Sequence, residues 1–96
     1  MILSHDTTNI TYMQQVDKEN LEKLGQKINE LRLLKSSSLN QFVLSNGCTT
    51  TATWSRVENG LVDLKFSTLL KFAHALGVTV DELLKGINFD YNFSDE

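Results

Sequence analysis

Ninety-six residues, 41% hydrophobic and 22% charged, suit one small folded domain rather than a disordered chain. No apolar run approaches the roughly 18 residues of a membrane span. Residues 1–6 lack the basic start and apolar stretch of a signal peptide, and the single cysteine, Cys48, excludes an internal disulfide framework, so the expectation is a cytoplasmic protein with no membrane partner. The net charge of −3 speaks against a strongly basic domain, but it is unevenly spread. Residues 21–80 hold seven Lys and Arg against four Asp and Glu, whereas residues 81–96 hold one against five. A mildly basic centre between acidic ends is a weak footprint for nucleic acid, and a normally solvated surface explains it as well.

Residues 1–16 are polar and rich in threonine and suit an N-terminal arm. Ile10-Thr11-Tyr12-Met13 clusters β-branched and aromatic residues, which favours a short extended piece. From residue 17 the pattern turns helical: Leu21, Leu24, Ile28 and Leu31 fall on one face of a helix over 17–35. Ser36-Ser37-Ser38 ends it, because serine hydroxyls compete for backbone hydrogen bonds. Ser38-Leu39-Asn40-Gln41 fits a capping box that opens a second helix over 39–46, with Leu39, Phe42 and Val43 facing inward and Asn46-Gly47 closing it.

Cys48-Thr49 forms the turn, and a third helix spans 50–59 with Thr50 as its N-cap. Its spacing turns Trp54 and Val57 inward and Thr51, Ala52, Ser55 and Arg56 outward, as in a helix that reads DNA in the major groove. A fourth helix over 65–76 carries Phe66, Leu69, Leu70, Ala73 and Leu76 on one face, and Gly77 stops it. Thr79-Val80-Asp81-Glu82 is a second capping box, opening a fifth helix over 79–85. The fold class is thus all-α, with a domain at 17–86 and an acidic, aromatic tail at 87–96. In that tail Phe89, Tyr91 and Phe93 alternate; they suit packing on the core, pairing with a second subunit, or binding another protein.

Three stretches resemble the XRE-type, lambda-repressor-like helix-turn-helix family. Leu24-Gly25-Gln26-Lys27-Ile28-Asn29-Glu30-Leu31-Arg32 is similar to its first helix, and Ser55-Arg56-Val57-Glu58-Asn59-Gly60 to the end of its recognition helix. Residues 69–84 resemble its fourth and fifth helices. The resemblance covers about residues 21–85. It implies a five-helix fold, a recognition helix at 50–59 lying in the major groove, and a homodimer on two half-sites. The function implied is that of a sequence-specific transcriptional regulator, a repressor, with double-stranded DNA as partner. It also implies phosphate contacts from Asn40, Gln41, Asn59 and Lys65, and an ion pair between Arg32 and Glu58.

The chain departs from the family in three ways. The turn is one residue longer, with Cys48 as the extra residue, which puts the register of Thr51 and Ala52 at issue. The first recognition positions are small, so they suit a thymine methyl better than a hydrogen-bonded base edge. Trp54 replaces a branched aliphatic; its spacing with Val57 suits the core, and its ring also suits stacking on a base.

Arg56 is the residue fitted to base contact, since a guanidinium pairs bidentately with guanine; the bland reading is a phosphate or solvent contact. Thr49, Thr50, Thr51 and Thr53 suit phosphate or bases; equally, Thr50 is simply a cap and the others are turn residues. His5, His74 and Cys48 are too scattered for a metal site, which needs about four ligands. No nucleophile and base stand together, so neither an enzyme nor a cofactor is expected. The acidic ends and small recognition residues motivate an alternative: an antitoxin-like or accessory protein-interaction module, with a toxin as one possible protein partner.

Overall fold

The computed structural model describes residues 12–92. Among them the chain forms five helices and no strand: α1 Tyr12–Lys35, α2 Leu39–Asn46, α3 Thr51–Glu58, α4 Phe66–Leu76 and α5 Val80–Leu84. The last four lie within one residue of the expected bounds, because each is framed by a cap. Ser38 Oγ accepts from the Gln41 N–H at 3.2 Å, Thr50 Oγ1 from Thr53 at 3.1 Å, and Thr79 Oγ1 from Glu82 at 3.1 Å. The box at Thr79 is complete, since Glu82 Oε1 accepts the Thr79 N–H at 2.9 Å. The expected box at Ser38 is half formed. Its backbone N–H goes to Ser36 Oγ at 3.2 Å, a nearer local acceptor than Gln41.

α1 begins at Tyr12, earlier than the expected residue 17. Tyr12 and Met13 are therefore helical, not extended; Ile10, Thr11 and the rest of 1–11 lie outside the described residues. Val16 is buried, and it continues the stripe of Leu24 and Ile28 at four-residue steps through Asn20. A polar residue in that stripe is what broke the periodicity.

The core is built around Trp54. Its ring stacks on Phe72 at 4.1 Å and 11° and meets Phe42 edge-on at 4.9 Å and 65°. Ile28, Val57, Leu76 and Leu83 close around this group, so all five helices contribute to one cluster. Such aromatic pairs add about 0.5–1.5 kcal/mol beyond area burial.

α1 and α3 cross at Gly25. A Cβ there would lie 2.4 Å from the Val57 carbonyl oxygen and 2.6 Å from that of Glu58. Both obstacles are backbone, so the helices would have to separate. Gly25→Ala is expected to cost about 1–3 kcal/mol through overpacking, read as a lower midpoint in thermal denaturation; unchanged stability would mean that the crossing is looser than described. Gly60 is constrained twice. Its φ of +73° is left-handed, and a Cβ would lie 2.7 Å from the Glu22 Cα. Its N–H donates to the Val57 carbonyl at 3.0 Å while that of Leu61 reaches Arg56 at 2.9 Å, a pattern that ends α3 sharply.

The chain beyond α5 runs antiparallel along α1. Lys27 Nζ donates to the Lys85 carbonyl at 2.6 Å and Lys23 Nζ to that of Asn88 at 2.7 Å. The Asn20 side chain pairs with the main chain of Asp90, donating to its carbonyl at 2.9 Å and accepting its N–H at 2.8 Å. Ile87 and Phe89 pack against the core and Tyr91 is exposed, while Phe93 lies outside the described residues. The tail thus begins by packing on its own domain.

Candidate nucleic-acid interface

α2 and α3 pack together and are joined by residues 47–50, with Thr50 capping α3. α3 is two-faced. Trp54 and Val57 are buried, while Ala52 and Arg56, one turn apart, are exposed. Thr51, Thr53 and Ser55 are half-buried between them. The turn at residues 47–50 leaves Ala52 and Arg56 outward.

What holds the inner face is a buried polar network centred on Glu58. Arg32 Nε donates to Oε2 and Nη2 to Oε1, both at 3.0 Å. Asn29 Nδ2 adds a bond to Oε1 at 2.8 Å, and the Trp54 indole N–H one to Oε2 at 2.6 Å. Arg32 Nη1 also serves the Ser36 carbonyl at 3.1 Å, so the guanidinium ties the end of α1 to α3. Both charged side chains are only 7% exposed. Burial alone pushes the Glu58 carboxyl up, but bonds from Arg32, Asn29 and Trp54, and the Arg32 charge, outweigh it and hold it below the ordinary glutamate value. The Glu58 hydrogen bond raises the Arg32 pKa, with burial opposing it. The ion pair implied by the resemblance is present; the donations from Asn29 and Trp54 had no signal in the sequence. Trp54 is inside the core, so base stacking is excluded for it.

The outer residues differ in what they have left to offer. Thr50 accepts from the Thr53 N–H and its hydroxyl donates to Thr53 Oγ1 at 3.0 Å, which makes it a cap. Asn59 Nδ2 folds back to the Ser55 carbonyl at 2.8 Å. The side chains of Arg56 and Lys65 are exposed and make no hydrogen bond or ion pair among the described residues. Asn40 and Gln41 are exposed in the first turn of α2, and Lys65 is the N-cap residue of α4. None of these three shares a hydrogen bond with α3 among the described residues.

Burying Arg32 with Glu58 cancels one charge of each sign. Over 33–80 the exposed charges are then Lys35, Arg56, Lys65 and Lys71 against Asp63 alone. That region is more basic than the whole chain suggests. Lys71 and His74 line a groove of roughly 550 Å³ with Ser45 to Cys48. Burial pushes the Cys48 thiol up and Lys71 only partly offsets it, the reverse of an activated nucleophile. Among the described residues no group of three or more His, Cys, Asp or Glu converges as metal ligands, and no helix is long and apolar enough to cross a membrane. No family model, curated protein or solved structure matches the chain.

Proposed function

We propose that this chain is a lambda-repressor-like helix-turn-helix protein of the XRE type. In this reading α2 and α3 form the motif, and a dimer lays α3 in the major groove of double-stranded DNA to repress transcription. The observation that carries this reading is the division of α3: its inner face is clamped by Trp54, Val57 and Glu58, and its outer face presents an unpaired Arg56. Arg56 reads guanine through O6 and N7, while Lys65, Asn59 and the amides of Asn40 and Gln41 meet phosphates. The Thr53 hydroxyl proton is left to donate to phosphate, because Thr50 occupies only its oxygen. The activity is recognition, with no catalytic step and no cofactor.

Selection of bound sites from random duplex DNA, followed by binding across a salt series, tests this reading. Sites of two-fold symmetry with half-sites one turn or a multiple apart are expected, with affinity falling steeply as salt rises. Arg56→Ala is expected to cost about 1–3 kcal/mol on the best site and to relax discrimination at one base pair. The same loss on every sequence would make Arg56 a phosphate contact instead.

A second reading is favoured by one observation. Leu61, Phe66 and Leu70 are 65%, 68% and 46% exposed around the start of α4, apolar side chains that a partner could cover. As a protein-interaction module of the antitoxin type, the chain would bind a partner there. Purification from its native host with a stoichiometric partner, together with no DNA retardation at low salt, would favour this reading over the first.

A further inference from the structure

We infer that the half-site under α3 combines one guanine, held by Arg56, with thymine methyl groups packed on Ala52 and Thr51 within about three base pairs of it. The inference rests on the DNA-binding reading and assigns the chemistry that α3 selects. The hydrogen-bond inventory of the helix carries it. Thr50 caps the helix and donates to Thr53 Oγ1, which leaves Thr53 one hydroxyl proton; Asn59 is folded onto the Ser55 carbonyl, and Glu58 is buried in its network. Thr51 and Ser55 bring one hydroxyl each, and a hydroxyl both donates and accepts, so it discriminates little between bases. Arg56 alone offers several unoccupied donors.

Beside these hydroxyls the outer face offers methyl groups. Ala52 is exposed with nothing but its Cβ, and Thr51 beside it carries a γ-methyl. The thymine C5-methyl is the apolar feature of the major groove, so it is the complement of this patch. Ala52 and Arg56 are four residues apart, about 6 Å along the helix axis. Base pairs rise about 3.4 Å each. A guanidinium and a methyl patch at that spacing meet bases two steps apart, or three when Arg56 is extended.

Replacing thymine by deoxyuridine removes the methyl and leaves base pairing intact. In a selected duplex, that exchange at the thymines beside the guanine is expected to weaken binding about fourfold per contacted methyl, the equivalent of one buried methyl group. In Ala52→Gly or Thr51→Ser the thymine-to-deoxyuridine ratio is expected to fall toward one. Because the ratio is taken within each protein, any loss of helix stability cancels. Deoxyuridine without effect at every thymine, or a penalty undiminished in both variants, overturns the inference and leaves DNA binding standing. Recovery of no salt-sensitive site overturns the DNA-binding reading itself, and this inference with it.

Discussion

Arg32→Met destabilises the fold by about 3–5 kcal/mol at neutral pH, because it strands a charge in a site that is closed to water. Glu58 retains Asn29 and Trp54 as donors but loses the cation that pairs with it among the described residues. The sign of the pH dependence distinguishes this from a packing defect. In the native chain Glu58 sits below its ordinary value, so the folded state binds fewer protons than the unfolded one. The stabilisation is then complete above the ordinary glutamate value of about 4.3 and is lost as pH falls through the lower folded value. Without Arg32 the carboxyl loses its cation and the Arg32 hydrogen bonds while its burial remains, so its pKa rises above that of the native chain. The deficit of the variant is therefore largest at neutral pH and narrows on acidification. Urea unfolding of both proteins at neutral pH and near pH 4.5 measures it. A loss below about 1 kcal/mol, as for a solvent-exposed pair, would show that the site is open to water.

Trp54→Ala is expected to cost a similar 3–5 kcal/mol, for a different reason. The indole is fully buried between Phe72 and Phe42, so truncation leaves a cavity at the centre of the core. Trp54→Phe separates volume from polarity. It keeps a ring against Phe72 and removes the N–H that reaches Glu58 Oε2, an oxygen that Arg32 Nε still serves. The loss for this variant is expected to be smaller, about 1–3 kcal/mol. Equal losses for the two substitutions would mean that the hydrogen bond, not the packing, carries the contribution. Thermal and denaturant unfolding followed by far-ultraviolet circular dichroism provides the comparison, since the only tryptophan of the chain is the residue replaced.

Helices α2 to α5 were legible because each carries its signals locally: an apolar stripe with a hydroxyl cap before it, a glycine after it, or both. The outward setting of Arg56 was legible for the same reason, since helical spacing from Trp54 and Val57 fixes it. The start of α1 was not, because Asn20 occupies a position in the buried stripe that an apolar residue would mark. That Asn serves Asp90, 70 residues away. Pairing at such separation goes to backbone groups, which every residue has and no residue type announces.

The sequence by itself determined where α2 to α5 lie and that Arg56 stands on the outer face of α3. These are properties of a few neighbouring residues. In α4 the spacing set Phe66 and Leu70 in the apolar stripe, whereas both are exposed and Phe72 and Ala75 are buried beside Ala73 and Leu76. Only the tertiary structure decided how α3 is held: the Asn29 and Trp54 bonds to Glu58, the helix crossing at Gly25, and the docking of residues 85–90 on α1. Those depend on chain segments that meet across long sequence separations, where burial strengthens each polar contact and backbone groups are as good partners as side chains.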